Sequence, residues 1–160
     1  MQIRKTTPAD FDTVMNIYRA AREFMIASGN PTQWWDGYPP EELIRDDISR
    51  GDSFVVVEDG KILAVFLYRA GIDPTYVNIE NGEWLNNEPY GVIHRIAVAE
   101  KGRGVASFVF DTVYSWCGNI RIDTHADNRP MQRALEKNGF KYCGVILIAT
   151  GDPRVAYQKI

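Results

Sequence analysis

A mixed α/β fold in a single domain, residues 1–160, is predicted by three observations. Apolar residues recur at helical spacing near the start of the chain, as Phe11, Val14, Met15, Tyr18, Ala21 and Met25. Two β-branched-rich runs, Ser53 to Glu58 and Lys61 to Arg69, meet at Asp59-Gly60, a strong hairpin signal. From Gly91 onward strand and helix patterns alternate as β-α-β-α-β.

Each element has a local reason. Residues 2 to 5 read as a short first strand. Thr7-Pro8-Ala9-Asp10 opens the first helix, with Thr as N-cap, Pro at the first position and an acid at the third. Gly29-Asn30-Pro31 ends it, and Gln33 to Tyr38 is an aromatic loop without a period. Pro39-Pro40 starts a second helix carrying Leu43, Ile44 and Ile48. Residues 71 to 89 form a polar, irregular insertion. A loop of that length either serves function or covers a neighbour, so a homodimer stays open. Gly91 to Val98 reads as a central strand. A helix from about Val105 to Cys117 follows, with Val105, Phe108, Val109, Val113 and Trp116 expected as its buried stripe. Ile120 to Thr124 is a strand, and 129 to 138 is a helix with Pro130 in its first turn, stopped at Asn138-Gly139. Phe140 to Ile148 and Pro153 to Lys159 are the last strands.

Composition narrows the function. Apolar residues make up 45% and charged residues 24%, which suits one packed core. The net charge of -3 gives no general attraction to nucleic acid or anionic membranes, so neither is an expected partner. Met1 to Lys5 lacks the apolar stretch of a signal peptide, and no run could span a bilayer, so the expected location is cytoplasmic. Cys117 and Cys143 then read as reduced thiols rather than a disulfide. No cluster of His, Cys and acids stands at metal-ligand spacing, so no metal is expected.

The segment with the clearest chemistry is Lys101-Gly102-Arg103-Gly104-Val105-Ala106. A strand running through a glycine turn into a helix leaves amide N–H groups pointing outward, and the helix dipole adds positive potential. That suits a phosphate, with Lys101 and Arg103 able to add charge. The loop is not a P-loop, and no dinucleotide fingerprint follows the first strand. Taken alone, Gly-x-Gly before a helix is more often a tight turn.

Further along come Asp127-Asn128-Arg129-Pro130-Met131 and Leu135-Glu136-Lys137-Asn138-Gly139-Phe140. With Ile96-Ala97-Val98 and the loop 101–106, these motifs resemble the GNAT (Gcn5-related N-acetyltransferase) superfamily. The resemblance implies a mostly antiparallel central sheet with splayed central strands, flanked by about four helices. It implies acetyl-CoA as cofactor and acetyl transfer to a primary amine, of a small molecule or peptide, by direct attack in a ternary complex. It also implies that Ile96, Ala97 and Val98 line the pantetheine arm, that the amides of 101–106 hold the pyrophosphate, and that Asn128 bonds near the thioester. By residue type Asn128 is equally a helix N-cap. The loop departs from the family pattern, with Lys101 where Arg or Gln is usual.

The proton-transfer residues are less legible. The family often has Leu-Tyr-Glu-Lys, with Tyr as the acid, where this chain has Ala134-Leu135-Glu136-Lys137. Tyr142 is a nearby substitute acid. His94 and His125 are the candidate bases, because imidazole exchanges protons near neutrality. Strand alternation groups His94 with Val92, Ile96 and Val98, and sets Arg95 opposite. Trp34, Trp35 and Trp84 are expected to wall the acceptor site. Two other readings stay open. Leu135 favours a non-catalytic acyl-CoA sensor or partner domain, and a nucleotide-binding module would let ATP compete with acetyl-CoA.

Overall fold

The computed structural model describes residues 1–160. Its seven strands are β1 (Gln2–Lys5), β2 (Ser53–Glu58), β3 (Lys61–Ala70), β4 (Gly91–Val98), β5 (Ile120–Thr124), β6 (Lys141–Leu147) and β7 (Pro153–Lys159). The four α-helices are α1 (Phe11–Ala27), α2 (Glu41–Arg50), α3 (Val105–Cys117) and α4 (Arg129–Lys137). The strands lie in the order β1-β2-β3-β4-β5-β7-β6. β1–β2, β2–β3, β5–β7 and β6–β7 pair antiparallel, and β4–β5 pairs parallel. No helix is long and apolar enough to cross a membrane. Two compact units are present, each discontinuous in sequence: residues 1–68 with 94–109, and residues 69–93 with 110–160.

In the first unit, Val14, Met15, Tyr18 and Trp34 bury against Ile44 of α2 and Val55, Val65 and Ala97 of the strands. β3 is buried on both faces from Leu63 to Leu67, which explains its unbroken apolar run. A short 3-10 turn, Pro8–Asp10, precedes α1. There the Asp10 carboxylate accepts the Thr7 backbone N–H at 2.8 Å and pairs with Arg4 at 2.7 Å. The Arg4 guanidinium, despite partial burial, holds the Asp10 carboxyl down at about 2.

In the second unit, Tyr76, Tyr90, Val92, Ile146 and Ala156 form the core. The insertion packs onto its own sheet. Glu80 and Val145 exchange backbone hydrogen bonds at 2.8 Å each way. Arg121, held between the rings of Trp84 and Tyr90 at 4.2 and 4.1 Å, donates to the Asn86 carbonyl at 2.8 Å. Buried Gln158 ties Leu85, Asn86 and Asn119 together.

Two sequence expectations need correction here. Trp116 is 43% exposed, and Phe110, fully buried against Phe140, takes its place in the stripe of α3. Helical spacing keeps residue 116 on the face of Val105, Val109 and Val113, but it stands in the last turn of α3, one residue before the helix ends at Cys117. Strict alternation along β4 also fails, because Arg95 has φ +49°. A left-handed residue interrupts the pleat, so parity does not carry from Val92 across it to Ile96 and Val98.

Candidate active site

The first unit forms an open glycine turn at the head of α3. β4 leads through residues 99–104 into α3, and Gly102 and Gly104 stand at φ +79° and +70°. Side chains seldom adopt such values, so glycine is needed for the turn itself. A Cβ built on either would meet nothing within 4 Å, so the space above the loop is open. The first helical bond of α3 runs from the Phe108 N–H to the Gly104 carbonyl at 3.0 Å. The amides of Val105, Ala106 and Ser107 therefore have no intrahelical acceptor. These donors and the positive end of α3 fit a pyrophosphate.

The basic side chains of the loop are engaged within the chain. Arg103 pairs with Glu58 of the β2–β3 hairpin and, at 3.3 Å, with Glu100. Lys61 also pairs with Glu100. The Lys101 ammonium lies over the Phe24 ring at the end of α1, and its partial burial lowers its pKa.

β4 itself is paired to β5 only at Gly91↔Ile120 and Val92↔Arg121. Ile96 and Ala97 are buried and Val98 half-buried, with Ala97 in the core beneath α1. Beyond the end of a parallel ladder, the backbone groups of a strand are available to another partner.

Residues 12–140 match the model of the Acetyltransferase (GNAT) family. The chain belongs to the GNAT acetyltransferase family. A GNAT-family acetyltransferase from Streptococcus agalactiae is 36% identical, with TM-score 0.90, covering 99% of this chain and 94% of that one. One from Listeria monocytogenes is 18% identical, with TM-score 0.70, over 99% of this chain and 93% of that one. AAC(6')-Ib, solved in complex with ribostamycin and coenzyme A, is 16% identical with TM-score 0.64, over 99% and 92%. No curated protein matches the sequence. The seven-stranded, mostly antiparallel sheet with four helices is the GNAT architecture. Family members use acetyl-CoA as co-substrate.

The other sequence-predicted residues of this GNAT protein fall in both units. In the first, His94 is half-buried beside Arg95. Trp34 is buried edge-on against Tyr18, while Trp35 is 59% exposed and packs on Tyr38. In the second, His125 accepts the Asp127 backbone N–H on Nδ1 at 3.0 Å. Asn128 caps α4 by accepting the Met131 N–H at 3.2 Å. Tyr142 on β6 is 52% exposed, with its ring edge-on to Tyr157 at 5.9 Å. Trp84 donates to the Tyr76 carbonyl at 2.9 Å and covers Arg121. Leu135 is fully buried, so its position is filled by apolar packing and holds no open slot for an acid.

Sequence reasoning missed a second constellation in the first unit. Arg95 pairs with the buried Asp47 of α2 and donates to the Tyr38 hydroxyl at 3.4 Å. Burial opposes the Arg95 charge, but Tyr38, Asp47 and Tyr18 more than offset it and raise its pKa. Burial likewise raises the Tyr18 phenol, which stays neutral. Tyr18 and Tyr38 also line a cavity of about 370 Å³ between α1 and residues 36–41. The available signals were charges inside apolar patterns: Arg95 within a strand, Asp47 beside Ile44 and Ile48.

Proposed function

We propose that the protein transfers the acetyl group of acetyl-CoA to a primary amine, by direct attack of the amine while both substrates are bound. The observation that carries this reading is the cradle: left-handed Gly102 and Gly104, open space above them, and unpaired amides at the head of α3. Bound there, acetyl-CoA supplies an activated acyl group.

The chain's own residues then have distinct tasks. The amides of 104–106 hold the pyrophosphate, with Arg103 and Lys101 as neighbouring charges. Backbone groups of Ile96, Ala97 and Val98 orient the pantetheine arm, and an N–H there polarises the thioester carbonyl. Asn128, besides capping α4, orients the same arm. Fixing both reactants in line supplies much of the rate.

His94 is the better candidate for the base. In His125 the Nδ1 lone pair is taken by the Asp127 N–H, so its neutral ring carries the proton on Nε2. That tautomer suits donation more than abstraction. Tyr142, half-exposed, is the candidate for returning a proton to the leaving group. Trp34 and Trp35 shape the acceptor side through Tyr18 and Tyr38. Trp84 packs on Arg121 within the second unit.

The test is release of free thiol from acetyl-CoA across a panel of amines. Sustained release supports the reading. Leu135, at the position where the family often has Tyr, favours a second reading, a sensor that binds acyl-CoA without turning it over. Tight acetyl-CoA binding with no thiol release from any amine would select that alternative.

A further inference from the structure

The cavity between α1 and residues 36–41 has chemistry that the acetyl-transfer reading leaves unassigned. One stripe of α1 faces it: Met15, Tyr18, Arg19, Arg22 and Glu23, at the i, i+3, i+4, i+7, i+8 spacing of a single helix face. The stripe is apolar and aromatic at one end and charged at the other. Tyr38 and Pro39 continue the apolar end, and Asp36 and Glu41 the charged end.

Arg22 is the organised group. Its Nε donates to the backbone carbonyls of Trp35 at 3.1 Å and Trp34 at 3.4 Å. Trp34 is buried in the core, so those carbonyls are fixed. The guanidinium is thus oriented by its inner edge and 23% exposed. Its terminal nitrogens reach only Asp36, at 3.5 Å, and that carboxylate is 99% exposed. Arg19 meets Glu41 at 3.8 Å, with both side chains 59% exposed. Contacts this long between solvated groups are weak and easily displaced. A fork fixed at Nε with loosely held ends is prepared for a planar or tetrahedral oxyanion.

At the apolar end the buried Arg95 guanidinium stands behind the Tyr18 and Tyr38 hydroxyls. Its charge is answered by the buried Asp47, so the two phenols present a neutral polar wall that can hydrogen-bond an amine.

We propose that this cavity is the acceptor pocket, and that it takes a primary amine carrying an anionic group, carboxylate or phosphate. The anion sits on Arg22 and Arg19 in place of Asp36 and Glu41, and the amine end runs between Tyr18 and Tyr38. One turn of helix separates Arg22 from Tyr18, about 6 Å, so the amine lies several bonds from the anion. The assignment rests on the acetyl-transfer reading for its outcome, but not for its test.

Binding is measured on the full chain without acetyl-CoA, by ligand-observed NMR. The probes are ε-aminocaproate against hexylamine, and O-phosphoethanolamine against ethanolamine. The anionic member of at least one pair is expected to bind about tenfold or more tightly, and the pair that discriminates names the anion. Arg22→Gln should abolish that preference, with unfolding temperature recorded to exclude a folding defect. Asp36→Asn, at a fully exposed side chain, should tighten binding of the anionic probe a few-fold. Equal binding within both pairs, or tighter binding of hexylamine, would show that the rim carboxylates read the ammonium, and would overturn the proposal. So would an anion preference indifferent to both substitutions. Absence of acetyl-CoA binding or thiol release, with the anion preference intact, would sink the acetyl-transfer reading instead.

Discussion

Asp47 on α2 and Arg95 on β4 form an ion pair shut away from water, with side chains only 2% and 14% exposed. The pair fastens a helix to the one left-handed residue of a central strand. Removing one partner leaves a buried charge unanswered. Asp47→Ala is therefore expected to cost about 3–5 kcal/mol, read as a lower urea midpoint at unchanged slope. Replacing both residues together, as Asp47→Leu with Arg95→Met, should cost far less than the sum of the single changes.

The pair of Arg4 and Asp10 gives a pH-dependent prediction. Asp10 titrates lower in the folded chain, at about 2, than in the unfolded one. Its contribution is thus fully present above the ordinary aspartate value near 4 and lost as pH falls toward about 2. Asp10→Asn should lower stability by about 1 kcal/mol at neutral pH, since the pair sits at the surface and the same carboxylate caps the Thr7 N–H. Thermal unfolding at falling pH should show the two proteins converging.

The phosphate cradle can be probed from two directions. Gly104→Val forces a branched side chain into a left-handed position, at about 1 to 2 kcal/mol, without any clash inside the protein. Calorimetric titration should show acetyl-CoA binding lost while the fold persists. Glu58→Gln or Glu100→Gln releases Arg103 from a carboxylate. Affinity for acetyl-CoA should then rise a few-fold at low salt, and the gain should shrink as salt is added.

Leu135→Tyr tests the position where the family often carries its acid. A vacant slot would accept the phenol. Leu135 is instead fully buried among packed neighbours. The larger ring should overpack that site and cost about 1–3 kcal/mol, seen as a lower unfolding temperature. Faster thiol release in this variant would mean that the ring finds the leaving group despite the strain.

Local signals were readable in the sequence wherever one residue decides the outcome. Asp59-Gly60 placed the hairpin, Thr7-Pro8 the start of the first helical segment and Asn138-Gly139 the end of α4. The loop glycines were legible for the same reason, because the left-handed turn excludes other residues. What stayed hidden depends on partners far apart in the chain. Nothing near Arg95 announces Asp47, 48 positions away, or shows that the strand turns left-handed between His94 and Ile96. The cavity beside α1 was not legible because Arg19 and Arg22 carry the pattern of a solvated helix face, and only the fold sets residues 36–41 against them. Trp84 drew notice as a wall of the acceptor site, but its partner Arg121 lies in a strand that reads as plain core.

The insertion supplies a last contrast among glycines. Gly82 lies against β6, where an added Cβ would come within 1.9 Å of the Cys143 carbonyl oxygen. Across that contact, a Cβ on Gly144 would approach the Glu80 carbonyl oxygen to 2.6 Å. Neither neighbour is a flexible side chain, so neither can give way. Gly82→Ala should push the insertion off β6, break the Glu80–Val145 hydrogen bonds and expose Tyr76, which is otherwise fully buried. Loss of that packing should cost about 2–4 kcal/mol, with faster amide exchange at Glu80 and Val145. Gly102→Ala, whose Cβ points into open space, should cost only about 1 kcal/mol and leave those two amides protected. Equal effects from the two substitutions would mean that the insertion is not clamped to β6 in solution.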